Sequence, residues 1–368
     1  MNSEDLENYY ERGHSCRGAG ILRFVLMAFV CVWSFGFPEP TGFLNALSGF
    51  AAPCFFILSG FFVLVGNKED RIKKTKRKIK RSLLCFGFMI VLYTIMNIIV
   101  CIIGKISVTF SLRTIFNFIV LNLWPLPIGT NIWFVQAMLY TYALIYIAEK
   151  LNLMKYYKTV LVISFIIMLL FGEFAGAIHF DFHGYQYIPG NWFTRALPYM
   201  LLGMLMREKN DILLKINDWQ YILLIFVGAV MAISEIILLG QSGLLIYEGH
   251  MIGYAVMAFS ACGLAVTNPK AIQMNISITR YDTAFSGMIY IFLEPIYYAL
   301  VLFFRGEDID IFTKYLGIAA FLLSILIAVI LKKSFIATIF FSKWDERRYR
   351  KIKDMESKND KSSTEESS

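Results

Sequence analysis

Ionisable side chains within apolar stretches are the residues of this sequence best placed to do chemistry. Four of them interrupt such stretches: Arg23, Arg195, Glu235 and Glu294. A charged group at the centre of a membrane helix costs about 2.5–3.5 kcal/mol on insertion scales, so these residues need a partner, a cavity or a substrate. Glu294 lies in the middle of its stretch and is followed by Pro295. A carboxyl in that position must be neutral, paired or in contact with a polar cavity, which leaves two interpretations open: a proton acceptor, and a structural group paired with Arg195 or with a backbone carbonyl beside Pro295.

Arg23 and Ser34 are eleven positions apart in the first apolar stretch. Eleven steps of an α-helix return to nearly the same face, about 16 Å further along the axis. The spacing therefore predicts that both residues lie on one stripe of a helix. Two interpretations of Arg23 stay open: an anchor whose charge snorkels to the membrane surface, and a guanidinium that binds phosphate in a fork. Ser34 becomes a nucleophile only with a base beside it.

Polar and aromatic residues outside the first stretch form two further candidate groups. Trp133 and Gln136 open a later apolar stretch, where the indole suits a membrane interface and the amide needs a hydrogen-bonding partner. His179, Asp181 and His183 alternate with Phe, so an extended backbone points all three side chains to one side. Such residues are either solvated or supply a general base or a sugar-binding group. The six Cys show no paired spacing, and we predict neither a disulfide nor a metal site.

The elements that position these residues are predicted to be membrane-spanning helices. Hydrophobic residues make up 57% of the 368 residues and charged residues 17%, a balance typical of a membrane protein. A helix needs about 20 apolar residues to cross the hydrocarbon. The apolar stretches fall near 20–37, 42–66, 82–104, 132–149, 156–173, 193–206, 218–240, 249–267, 283–304 and 309–332. We therefore predict an all-α polytopic bundle of about ten transmembrane helices, with the amphipathic run 112–124 lying along the interface.

Lys and Arg set the predicted orientation of the bundle. With the N-terminus inside, the cytoplasmic segments hold 29 of the 35 basic residues and the outer segments hold four, which predicts that both termini are cytoplasmic. The basic run 73–81 then belongs to a cytoplasmic hairpin loop, 67–81, held against anionic headgroups, and is no nucleic-acid site. We divide the chain into a cytoplasmic segment 1–19, a transmembrane domain 20–332, and a charged, Ser-rich tail 333–368 that we expect to be largely disordered.

Five short motifs carry a resemblance to a known family. They are Leu22-Arg23-Phe24, Phe55-Phe56-Ile57-Leu58-Ser59-Gly60-Phe61, Trp133-Phe134, Leu197-Pro198-Tyr199-Met200-Leu201-Leu202-Gly203 and Ser286-Gly287-Met288-Ile289-Tyr290. Together with the basic segment that ends at Lys80-Arg81, they resemble the acyltransferase 3 family of bacterial integral membrane O-acyltransferases. Two positions depart from the family pattern. The His of the first helix is Ser34 here, and the His before Pro on the ninth helix is Glu294.

The resemblance implies an enzyme that moves an acyl group, often acetyl, from acyl-CoA to a hydroxyl of a surface glycan or a lipid-linked sugar at the bacterial plasma membrane. Acyl-CoA would be a co-substrate, with no other cofactor, and its phosphates would meet Arg23, Arg77 and Arg81. Glu294 would replace the missing His as general base, with Ser34 as its hydrogen-bonding partner. The residues expected on the acceptor side are Trp133, Gln136, His179, Asp181, His183 and Arg195.

The loss of both family His residues leaves a second interpretation open. A non-catalytic relative would move or help export a polysaccharide or a lipid-linked intermediate. Retention of Arg23 and of a carboxylate in the middle of the ninth stretch favours catalysis. Turnover of acyl-CoA separates the two hypotheses.

Overall fold

The long apolar stretches of the chain form helices, as their composition predicts. The computed structural model describes residues 6, 9–10, 16–37, 42–104, 111–171, 191–242, 251–269, 282–304 and 309–331. Within these ranges the chain is almost entirely helical and contains no strand. The prediction of an all-α fold is therefore confirmed.

Thirteen α-helices are described, and each of the ten predicted stretches overlaps at least one of them. Their bounds are α1 Arg17–Phe35, α2 Phe43–Leu47, α3 Ala51–Phe61, α4 Lys68–Gly104, α5 Leu112–Leu121, α6 Ile132–Lys150, α7 Tyr157–Phe171, α8 Trp192–Glu208, α9 Asn210–Leu213, α10 Asp218–Gln241, α11 Ile252–Thr267, α12 Asp282–Phe303 and α13 Ile309–Leu331. A 3₁₀ turn, Ser48–Phe50, joins α2 to α3, and a second, Leu153–Tyr156, precedes α7. In the described part of the chain, seven helical segments are long and apolar enough to cross a membrane.

The basic segment 67–81 is helical, and its prediction as a hairpin loop was wrong. Helix α4 begins at Lys68 and continues without a break to Gly104. Its start is capped, because the Asn67 side chain accepts a hydrogen bond from the backbone amide of Asp70 at 2.9 Å. Lys and Arg are good helix formers, and acidic residues in the first turn complement the helix dipole. A run of charges marks where the chain leaves hydrocarbon but does not end the helix.

Close contacts between helix backbones build the centre of the bundle. Helix α8 packs against α3 at two glycines: a Cβ on Gly60 would overlap the carbonyl oxygen of Met200, and one on Gly203 would overlap that of Ile57. Without side chains at these positions the two helix axes approach closely, which is typical of membrane interfaces. Helix α1 packs against α3, α11, α12 and α13. The helices α1, α3 and α8 thereby surround the region that holds the candidate site.

The outward faces of several helices expose large apolar side chains. On α10, Phe226 is 66% exposed and Leu238 is 66% exposed, and only 11% of the most apolar window of this helix is buried. The α4 residue Ile102 is 73% exposed. Apolar surface of this extent is stable against lipid and unstable against water. The protein is a multi-pass membrane protein.

Candidate active site

A cavity of about 560 Å³ runs along α1 and is closed by residues of α3, α4, α6, α8 and α12. Arg23 and Ser34 both line it, as their spacing on α1 predicts. The eleven helical steps from Arg23 to Ser34 place these two side chains about 16 Å apart along the helix. We call the two parts of the cavity the Arg23 end and the Ser34 end. Their chemistry differs.

Three cations line the Arg23 end: Arg23 of α1 and Lys78 and Arg81 of α4. Lys78 donates a hydrogen bond from Nζ to the carbonyl oxygen of Ser59 at 3.2 Å, and Nζ lies 5.1 Å from the ring centre of Tyr142. The guanidinium carbon of Arg23 lies 5.5 Å from the ring centre of Phe62. No Asp or Glu is found among the described residues that line the cavity. The Arg23 end is therefore suited to an anion, and to phosphate in particular.

The α4 residues at this end differ in part from those predicted. Arg81 lines the cavity, whereas Arg77 is exposed and does not line it. Lys78 takes the place that we expected for Arg77. The sequence carried a signal for this, since Lys78, Arg81, Ser82 and Cys85 follow the spacing of three and four that puts residues on one helix face. The prediction of a loop for this segment did not use that helical spacing.

Polar groups from four helices or their starts meet at the Ser34 end. Ser34 donates a hydrogen bond from Oγ to Oδ1 of Asn131 at 3.5 Å, and Tyr290 donates from its hydroxyl to the Asn131 carbonyl oxygen at 2.6 Å. The Asn131 Nδ2 atom is buried and donates to no partner among the described residues. Arg195 is 4% exposed, and its guanidinium carbon lies 4.5 Å from the ring centre of Trp133 and 6.0 Å from that of Trp33.

Glu294 supports this end from outside the cavity. It is 1% exposed and does not line the cavity. Its Oε1 atom accepts hydrogen bonds from the backbone amides of Gly129 at 2.8 Å and Thr130 at 3.1 Å and from the Thr130 hydroxyl at 3.2 Å. Its Oε2 atom accepts from the Asn131 amide at 3.1 Å. The carboxylate of α12 therefore fixes the residues just before α6, including the one that contacts Ser34.

A family model described as an acyltransferase domain, acyltransferase 3, matches residues 18–333. The chain belongs to the acyltransferase 3 family. No curated protein and no solved structure gives a significant match to it. The resemblance inferred from the five short motifs is confirmed, and the match covers the whole predicted transmembrane domain.

In this acyltransferase 3 protein, two other polar residues of the apolar stretches form hydrogen bonds within the helix bundle. Gln136 donates from Nε2 to the carbonyl oxygen of Phe118 at 2.7 Å and to the Tyr140 hydroxyl at 2.9 Å, so it joins α6 to α5 and does not line the cavity. Glu235 accepts a hydrogen bond from the Gly253 amide at 3.1 Å, at the start of α11. Both residues form hydrogen bonds with backbone groups of a neighbouring helix, which explains their presence in apolar stretches.

The predicted outer group His179, Asp181 and His183 lies outside the described residues, as do all four His of the chain. Among the residues that the structure does describe, no three His, Cys, Asp or Glu side chains are grouped to hold a metal ion. The candidate site of the described chain thus consists of a cationic end and an end that holds a hydroxyl, an amide, an indole and a guanidinium.

Proposed function

We propose that the protein is a membrane O-acyltransferase that moves an acyl group, acetyl in the simplest case, from acyl-CoA to a hydroxyl of a surface glycan or lipid-linked sugar at the bacterial plasma membrane. The observation that carries the proposal is the cavity with two chemically different ends. A donor with several phosphates fits three cations at the Arg23 end. A hydroxyl acceptor fits the Ser34 end, which holds uncharged polar groups and a guanidinium.

The donor binds through its phosphates in this proposal. Arg23, Lys78 and Arg81 approach one part of the cavity from two helices, and like charges held together are stabilised by an anion between them. The pantetheine arm of CoA then extends along α1 and carries the thioester towards Ser34. Positive charge at the Arg23 end agrees with the predicted cytoplasmic orientation, because acyl-CoA is made inside the cell.

The transfer takes place at the Ser34 end in this proposal. The acceptor oxygen attacks the thioester carbonyl and a C–O bond forms; the C–S bond then breaks, CoA leaves as its thiolate, and the proton of the acceptor hydroxyl ends on that thiolate. The buried Asn131 Nδ2 is a donor suited to the oxyanion that develops. Ser34 holds the Asn131 side chain through its hydrogen bond. Glu294 acts through Asn131 as a positioning residue. The base role first expected for Glu294 stays a prediction, as do the roles of His179, Asp181 and His183.

Transfer from radiolabelled acetyl-CoA, measured on protein in nanodiscs, tests the proposal. We expect slow release of CoA without an acceptor and faster release with membrane glycolipid extract. Lys78→Met should weaken CoA binding, whereas Lys76→Met, which removes an exposed charge from the same helix outside the cavity, should not. Absence of CoA binding by the unaltered protein would reject the donor assignment.

A non-catalytic role in export or movement of a glycan intermediate is the second candidate. It is favoured by one observation: the described residues that line the cavity include no carboxylate and no imidazole to act as a base. The two functions differ in a direct measurement. A transport protein binds its glycolipid without releasing CoA, whereas the enzyme consumes acetyl-CoA in proportion to acylated product.

A further inference from the structure

A second, apolar groove lies beside the Ser34 end. It is formed by the end of α1, by α2 and by the second half of α10, and its volume is about 680 Å³. Ile233, Ile236 and Ile237 form one wall. Phe43 is 48% exposed and Ile237 is 50% exposed, so the groove is open to its surroundings. Its polar side chain, Asn45, is bound to the backbone of Phe37.

The α10 wall of the groove belongs to an apolar helix. Helix α10 is one of the helices long and apolar enough to cross the membrane, and its outward residues Val230 and Leu238 are 48% and 66% exposed. A concave apolar surface at this position meets hydrocarbon chains. The groove is thus chemically matched to a flexible hydrocarbon chain.

Trp33 connects the groove to the cavity. This residue lines both, and the next residue, Ser34, lines the cavity. The Arg195 guanidinium carbon lies 6.0 Å from the Trp33 ring centre and also lines the cavity. A molecule with its hydrocarbon chain in the groove would therefore pass Trp33 and present its polar head to Arg195 and Ser34. A guanidinium is suited to a phosphate in that head.

We infer that the groove binds the hydrocarbon chain of a lipid-linked acceptor, with a phosphate of the acceptor beside Arg195 and the acylated hydroxyl near Ser34. The inference rests on the proposed function and selects one acceptor class, a phosphate-bearing polyisoprenyl or acyl glycolipid that enters from the membrane. A soluble polysaccharide has no chain to fill the groove. A bulk phospholipid would occupy the groove whether or not its head group entered the cavity.

A photoreactive probe tests this inference without requiring turnover. The protein in nanodiscs is labelled with an isoprenyl monophosphate that carries a diazirine at its chain end, and the labelled peptides are identified by mass spectrometry. We expect labelling within α2 and residues 233–237. Unlabelled isoprenyl phosphate should compete at least tenfold better than isoprenyl alcohol or phosphatidylglycerol.

Two substitutions on α10 make a matched pair. Ile236→Trp fills the groove and should reduce labelling at least fivefold, whereas Val230→Trp adds the same bulk to the lipid face outside the groove and should leave it unchanged. Arg195→Gln should remove the preference for phosphate over alcohol. Thermal unfolding of each variant shows whether it is folded, and the labelled positions in the unaltered protein provide a test that needs no variant.

The outcomes separate the groove from the proposed activity. Label spread over the exposed faces of α4 and α10, or equal competition by phosphatidylglycerol, shows ordinary annular lipid and overturns the inference. Acetyl transfer to glycolipid with no labelling of the groove overturns it while leaving the enzyme proposal standing. Specific labelling together with absent CoA turnover supports the groove and contradicts the proposed enzyme.

Discussion

Replacing Glu294 with Gln distinguishes a positioning carboxylate from a catalytic one. The change keeps the shape of the side chain but gives it one oxygen and one NH₂ group. The amide oxygen can retain the three donors from Gly129 and Thr130 that now bind Oε1. The NH₂ group then faces the Asn131 amide, which is itself a donor and now binds Oε2 at 3.1 Å. Because two donors cannot form a hydrogen bond with each other, one buried N–H group is left without an acceptor.

The magnitude follows from these four hydrogen bonds. One unpaired buried donor costs about 1–3 kcal/mol, and each of the three remaining bonds weakens by about 1 kcal/mol when its acceptor loses its charge. Removing a buried charge offsets about 2–4 kcal/mol of this total of about 4–6 kcal/mol, because the desolvation of the carboxylate no longer opposes folding. We expect the free energy of unfolding to fall by about 2 kcal/mol for Glu294→Gln.

The assay measures stability and acetyl transfer on one sample. Unfolding is followed by Trp fluorescence during titration with SDS, and transfer by release of CoA. Glu294→Asp, which keeps the charge, should recover part of both quantities. Glu69→Gln is the control, because this side chain is 85% exposed and lies 3.8 Å from Lys73 in a surface pair of little energetic value. For a positioning residue, the pH profile of the remaining activity should keep its shape.

One result would refute this reasoning. If Glu294→Gln unfolds at the same SDS concentration as the unaltered protein and yet loses transfer at all pH values, the carboxylate acts on the proton and not on Asn131. Glu294→His should then restore activity, most clearly together with Ser34→His, since these changes supply the imidazoles of the family pattern.

Three other predictions concern the donor, the packing and the orientation. Arg23→Ala and Lys78→Met should each weaken CoA binding by about 1.5–3 kcal/mol, which isothermal titration detects, with Lys76→Met as control; equal affinities would contradict the phosphate site. Gly203→Ala should strongly reduce the yield of folded protein in size-exclusion chromatography, because the added Cβ overlaps the Ile57 backbone. Gly87→Ala is the control and should leave the yield unchanged, since a Cβ at Gly87 meets no atom within 4 Å. A normal yield for Gly203→Ala would reject the close α3–α8 contact. Reporter fusions after residues 75, 153, 212, 275 and 345 should report cytoplasm and those after 115, 180, 244 and 307 the outside; an outside signal at 75 would reverse the scheme.

The positions of the helices were predictable because hydrocarbon sets the length of apolar stretches. All ten predicted stretches contain helices, and α1, α6 and α10 agree with their predicted bounds to within three residues. The prediction of a loop at 67–81 is wrong because charged residues alone do not indicate a loop. Helix propensity and capping by Asn67 decide that segment, and neither depends on hydropathy.

The candidate site was only partly predictable. Helical periodicity places Arg23 and Ser34 on one face, so their shared cavity follows from the sequence. Asn131 and the backbone amides that bind Glu294 could not be found in this way. They lie between helices, and their approach to α12 depends on how distant segments pack. A mid-membrane carboxylate signals that some partner exists, but backbone partners leave no residue pattern.

The uninterrupted course of α4 has a mechanical consequence. Its 37 residues measure about 55 Å, against about 30 Å of hydrocarbon. The helix is thus roughly 25 Å longer than the hydrocarbon is thick. Arg71 fixes it to the end of α6, donating from Nε and Nη2 to the two carboxylate oxygens of Glu149 at 2.7 and 3.3 Å. Lys78 and Arg81 lie further along the same unbroken helix, so a displacement of the turn that holds Arg71 reaches both charges through helical backbone, with no intervening loop.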